Sequence, residues 1–207
     1  FASITPAGSL TICQGTSVIL QANTGPNYTY QWSLNGTIIA SATSASFVAN
    51  TAGAYTVTLS NSANCAFTSA PAIVVVNVLP SVTISASGNT TVCQGNTVNL
   101  NAGTGSTYAS YQWNLNGTPI AGATASTLAA NTTGSYNLTV TDANGCNATS
   151  NNVSVTLREL PIATITGNAS ICQGGNTILS ANTGTGRTYQ WKRNNINIIG
   201  ATSANYT

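Results

Sequence analysis

The chain has 207 residues, room for one large domain or two small ones, and only 3% of them are charged, against roughly 25% in an average soluble domain. The charges are Asp142, Arg158, Glu159, Arg187, Lys192 and Arg193, so residues 1–141 contain no Asp, Glu, Lys, Arg or His. That excludes most acid–base catalysis, carboxylate sites for hard cations, catalytic zinc and a phosphate-neutralising surface for nucleic acid, and it implies no cofactor.

In chain order, Cys13-Gln14-Gly15 opens the first block, and Val18, Leu20 and Ala22 then alternate with Ile19 and Gln21. A period of two marks a half-buried strand. Tyr30-Gln31-Trp32 follows, then Asn35-Gly36, a hairpin signal. Gly53-Ala54-Tyr55 starts a run in which Tyr55, Val57 and Leu59 share a face, and Cys65 stands ten residues after the Tyr. Ala72, Val74 and Val76 form the inward set of a last strand, with Ile73 and Val75 outward, and Leu79-Pro80 closes the block because proline ends strand pairing.

The block then repeats. Cys93-Gln94-Gly95 and Cys172-Gln173-Gly174 return at spacings of 80 and 79, Tyr111-Gln112-Trp113 and Tyr189-Gln190-Trp191 follow them, and Gly134-Ser135-Tyr136 precedes Cys146 by the same ten residues from its Tyr. Leu160-Pro161 is the second junction. The expected organisation is repeat one at 1–79, repeat two at 80–160 and an incomplete third repeat at 161–207 that lacks the last strands. The chain thus reads as an excerpt of a longer array. About seven short strands per repeat, separated by Gly-, Asn- and Thr-rich turns and with no helix, predict an all-β sandwich.

The positions resemble the immunoglobulin (Ig) fold, with a Trp on the third strand and a Gly-x-Tyr like the tyrosine corner at the start of the sixth. The places of the Ig disulfide are taken by Leu20 with Val57 and by Leu100 with Leu138, apolar pairs that would fill the core there. Cys-Gln-Gly, Tyr-Gln-Trp-x-x-Asn-Gly, Ile-Ala-Gly-Ala-Thr at 120–124, Gly-Ser-Tyr-Asn-Leu-Thr-Val-Thr at 134–141 and Asn-Gly-Cys-Asn-Ala-Thr-Ser at 144–150 together resemble the Ig-like and PKD-like repeats of secreted Bacteroidota proteins. That resemblance implies an extracellular, cell-surface setting, giant adhesins including gliding-motility adhesins, type IX secretion, and no catalytic residues.

An exported chain favours disulfides over thiols. The first expectation is Cys13 with Cys65 and Cys93 with Cys146, the partner of Cys172 falling near position 225; the alternative is pairing between neighbouring repeats, such as Cys13 with Cys146. Trp32, Trp113 and Trp191 read as core rather than sugar-stacking platforms, with Tyr55, Tyr136, Leu20, Val57, Leu100 and Leu138 as further core residues. Tyr28, Tyr108 and Tyr111, in the loop before the third strand, are the better candidates for exposed contacts. Ten Asn-x-Ser/Thr sequons, beginning at Asn27, Asn35 and Asn89, follow mostly from composition. Ile73 and Val75 correspond to Ser154 and Thr156 in repeat two, on a strand expected near a sheet edge, and are the candidate association face.

Disorder is disfavoured because hydrophobicity is not low and net charge is small, and no apolar run reaches the roughly 20 residues of a membrane span. The expected role is structural: a stalk, spacer or filament, with other copies or neighbouring repeats as partners and no enzyme activity. Its rivals are an adhesive or carbohydrate-binding module with a surface glycan or protein ligand, and the accessory region of a larger secreted hydrolase.

Overall fold

The structure, a computed structural model, describes residues 1–103 and 108–207. They form two compact units, Phe1–Leu157 and Arg158–Thr207. All regular structure among the described residues is β-strand.

Repeat one, within the first unit, contains β1 (Ile4–Thr5), β2 (Ser9–Cys13), β3 (Val18–Ala22), β4 (Thr29–Leu34), β5 (Thr37–Ile38), β6 (Ser46–Ala49), β7 (Gly53–Ser60), β8 (Ala66–Thr68) and β9 (Ala72–Asn77). Strands β1-β3-β6 make one sheet, and β2-β9-β7-β4-β5 make the other, with β8 also on β7. Strand β2 runs parallel to β9, pairing Ser9 with Ile73 through to Cys13 with Asn77, while β9 and β4 run antiparallel to β7. The chain changes sheet between β1 and β2, which splits the first strand.

The last strand is split as well. Between β8 and β9, Ser69 is buried and makes both bonds to Val57, donating its N–H to the Val57 carbonyl (2.9 Å) and accepting the Val57 N–H on Oγ (3.1 Å). Pro71 then follows without a donor of its own. These two interruptions turn the expected seven strands into nine. Repeat two matches, with β10 (Ile84–Ala86), β11 (Thr91–Cys93), β12 (Val98–Ala102), β13 (Ser110–Leu115), β14 (Thr118–Pro119), β15 (Thr127–Ala130), β16 (Gly134–Thr141), β17 (Asn147–Thr149) and β18 (Val153–Arg158). Its sheets are β10-β12-β15 and β11-β18-β16-β13-β14, and Ser150 takes the place of Ser69 against Leu138.

The cores lie between paired sheets. Leu20, Trp32 and Val57 are fully buried in repeat one, as are Leu100, Trp113 and Leu138 in repeat two. The Trp32 indole N–H donates to the Ser44 carbonyl and that of Trp113 to the Ala125 carbonyl, both at 2.9 Å, so neither ring carries an unpaired donor into the core. Tyr55 and Tyr136 are 2% exposed, and each hydroxyl donates to a carbonyl four residues upstream, Thr51 at 2.9 Å and Thr132 at 2.8 Å. That bond, sited at the entry of β7 or β16, is the tyrosine corner of Ig sandwiches. Gly53 has φ +149, a backbone conformation that side chains strain, and a Cβ there would lie 2.5 Å from Leu34 Cδ1, so the Leu34 side chain would also have to shift.

Ile73 and Val75 are 38% and 41% exposed. They are not near an edge: β9 has β2 on one side and β7 on the other. The expectation of an edge position fails because the split first strand supplies β2 as an extra neighbour, which a count of seven strands does not contain. The strands of that sheet with a single neighbour are β2, β5 and the short β8.

The second unit holds β19 (Ile165–Thr166), β20 (Leu179–Ala181), β21 (Lys192–Arg193), β22 (Ile196–Asn197) and β23 (Asn205–Tyr206), in a β19-β20-β23 sheet and a β21-β22 hairpin. Trp191 is 7% exposed, stacks on Tyr206 at 5.6 Å and donates to the Ser203 carbonyl at 2.8 Å.

Candidate functional site

The chemistry-bearing residues are the cysteines. Cys-Gln-Gly is a turn in all three copies: the N–H of Thr16, Asn96 or Gly175 donates to the carbonyl of Cys13, Cys93 or Cys172 at 2.9–3.1 Å. Gly15, Gly95 and Gly174 have φ between +81 and +94, which a turn with its third residue left-handed requires. The second cysteines occupy another fixed frame. Asn61 Oδ1 accepts the N–H groups of Ala63 and Cys65, both at 3.0 Å, and Asp142 Oδ1 accepts those of Asn144 and Cys146, both at 2.8 Å. An acidic side chain and its amide counterpart thus do the same job, because only an acceptor oxygen is needed.

Cys13 is bonded to Cys146, with Cα atoms 5.6 Å apart and a sequence separation of 133. Cys65, Cys93 and Cys172 are free and exposed. The expected bridges within repeats, Cys13–Cys65 and Cys93–Cys146, are therefore replaced by one between repeats. The reason is the direction of β2. Because it runs parallel to β9, it delivers Cys13 beside Asn77, at the end of the repeat, whereas Cys65 lies in the turn from β7 to β8 at the opposite end of the same sheet. Twelve positions separate Cys65 from Asn77, roughly 30–40 Å of extended strand, far beyond the 4.4–6.8 Å Cα separation that a disulfide permits. Cys146 is fully buried at the joint. The Nδ2 of Asn77, the register partner of Cys13, is buried there too.

The aromatic residues before the third strand are less available than expected. Tyr28 and Tyr108 are half-buried against their cores, the Tyr108 hydroxyl donates to the Ser81 carbonyl, and Tyr108 packs edge-on to Tyr111 at 5.6 Å. A role the sequence did not single out belongs to the Gln of Tyr-Gln-Trp. Gln31, Gln112 and Gln190 each donate Nε2 to the following Trp carbonyl (2.8–3.1 Å) and to the carbonyl of Ile39, Ile120 or Ile198 (2.8–2.9 Å). Their recurrence in every copy was the available signal. Among the described residues, no three His, Cys, Asp or Glu side chains cluster as a metal site, and no helix is long and apolar enough to cross a membrane.

No family model and no curated protein matches the chain. Among solved structures it is similar to the I67–I69 fragment of titin (14% identity, 95% of this chain and 81% of that one, TM-score 0.41). It is also similar to the fibronectin(III)-like modules of Clostridium thermocellum CbhA (11%, 77% and 95%, TM-score 0.42) and to murine CEACAM1b (14%, 75% and 98%, TM-score 0.36). The sheet order and the tyrosine corners describe an all-β chain of Ig-like sandwiches.

Proposed function

We propose that this chain is part of a tandem array, with repeats at 1–79, 80–160 and 161–207, that serves as a stalk, spacer or filament of a bacterial extracellular surface protein. Its task is mechanical and it carries no catalysis of its own. The observation that supports this reading is the bond from Cys13 to Cys146, which ties the end of one sandwich to the start of the next. When the chain is pulled by its ends, tension passes from Cys13 through the sulfurs to Cys146, and the backbone between them is excluded from the load path. A binding module would not need this brace, and the half-buried state of Tyr28, Tyr108 and Tyr111 weighs against a recurrent ligand face on those rings.

Single-molecule stretching of the chain through terminal handles tests the proposal. The bridge hides 133 residue steps, so reduction should lengthen the fully unfolded chain by about 450 Å at roughly 3.3–3.6 Å per residue. Equal lengths for the oxidised and reduced chains would show that the bridge bears no load.

A further inference from the structure

The Cys13–Cys146 bridge joins two kinds of half-site, and the chain carries spare copies of both. The first kind is the cysteine of a Cys-Gln-Gly turn, present again at Cys93 and Cys172. The second is the cysteine of the turn after the Gly-x-Tyr strand, present again at Cys65. The spare copies already hold the backbone of the bonded pair: Asn96 and Gly175 close the turns of Cys93 and Cys172 as Thr16 closes that of Cys13, and Asn61 fixes Cys65 as Asp142 fixes Cys146. What differs is cover. Cys146, bonded to the neighbouring repeat, is fully buried, whereas Cys65 in the same frame is exposed.

The surface around Cys65 adds a second observation. It borders a cleft of about 240 Å³ lined by Phe1, Tyr28, Leu59, Cys65 and Phe67, in which Phe1 is 88% and Phe67 58% exposed. At the observed joint Ser81 and Ala148 hold the positions of Phe1 and Phe67, so the exposed rings give the Cys65 half-site an apolar surface of its own against which a facing repeat can pack.

We propose that Cys65 is a docking and crosslinking site for the Cys-Gln-Gly turn of another repeat of this design, and that Cys93 is the complementary half-site, so that Cys13–Cys146 is one rung of a ladder. The first cysteine of each repeat bonds to the second cysteine of the one that follows. Each rung forms when two thiols give up two protons and two electrons to a disulfide oxidant, which is released as two thiols. The partner repeat belongs to the same polypeptide, as it does in the observed rung. With loops of 133 residues and a period near 80, successive rungs overlap, and no repeat flanked on both sides lies outside a loop.

The test is a disulfide map of the native protein, isolated with its thiols blocked by iodoacetamide and digested without reduction. The expected result is a Cys65 peptide joined to a Cys-Gln-Gly peptide of another repeat, and a Cys93 peptide joined to a peptide carrying a second-type cysteine. A monomer on a non-reducing gel is the expected result, and a disulfide-linked multimer that reduction dissolves would overturn the assignment of the partner repeat to the same polypeptide. A Cys65→Ser variant should lose the Cys65 linkage alone and keep the Cys13–Cys146 peptide. Cys65 and Cys93 recovered alkylated, Cys65 joined to a second Cys65, or Cys65 joined to Cys93 within one polypeptide would overturn the proposal. None of these results depends on whether the array bears tension.

Discussion

Trp113 combines complete burial with a satisfied indole N–H, and both properties depend on its place on β13 facing β16. Truncating it to Ala removes a large ring from the middle of a sealed core and leaves the Ala125 carbonyl without its donor. The expected loss is about 3–5 kcal/mol, enough to unfold repeat two ahead of the others once the bridge to repeat one is reduced. Denaturant titration of the reduced chain followed by circular dichroism checks this, with the fluorescence of Trp32 and Trp191 as the control for the other two copies. An unchanged midpoint together with unchanged circular dichroism would mean that the ring is not a core residue. The Gln next to each Trp acts at the same scale but differently: its amide spans two carbonyls of the hairpin, so it fixes the turn rather than the core.

Among the elements, the bulge between β8 and β9 carries a specific dependence. Ser69 Oγ is the acceptor for the buried Val57 N–H, and no backbone oxygen stands in for it. Ser69→Ala should therefore cost about 1–3 kcal/mol by leaving that donor unpaired. Thermal unfolding checks it, and the equivalent Ser150→Ala in repeat two should show the same loss. Strand β9 raises a separate matter. Ile73 and Val75 face solvent from an inner strand, so an association through them is proposed to be face to face, sheet on sheet, and not strand addition at an edge. Replacing both with Thr should leave the free energy of unfolding within about 1 kcal/mol of the parent and weaken self-association. Equal sedimentation of the substituted and parent chains would rule that face out as the contact.

These elements also show what alternation can and cannot disclose. A period of two marks Leu20, Val57, Leu100 and Leu138, all fully buried, and Gly-x-Tyr marks the two corners. The split of the outer strands leaves no periodic trace, because a bulge or a change of sheet displaces the pattern by one or two residues without altering which residues are apolar. The parallel run of β2 beside β9 was equally hidden, since strand direction belongs to pairing and not to any one segment. That single fact decides which end of the repeat carries Cys13, and hence the disulfide. Spacing alone left both pairings open.

For the first unit as a whole, a bridge between two sandwiches has a consequence that a bridge inside either one would lack. Suppose repeat one unfolds while repeat two stays folded: the sulfur still pins Cys13 to the folded partner, and the loosened segment from Cys13 to the junction at Pro80 is a closed loop of 67 residue steps. On the chain-entropy model that closure stabilises repeat one by about 4 kcal/mol, and the mirror argument gives repeat two, from Pro80 to Cys146, about the same. When both unfold, the loop is the full 133 residues and the total is only about 5 kcal/mol, because closure entropy grows slowly with length. Unfolding the first sandwich thus meets nearly the whole penalty and unfolding the second meets little more, so the bridge couples two otherwise separate transitions. The oxidised chain should melt its first two repeats together, in one steep denaturant transition with a large m-value, whereas the reduced chain, or a Cys146→Ser variant, should show two shallower transitions at lower midpoints. Trp32→Phe and Trp113→Phe variants make the two repeats separately visible by fluorescence. If the two probes already report different midpoints in the oxidised chain, the bridge does not couple the sandwiches.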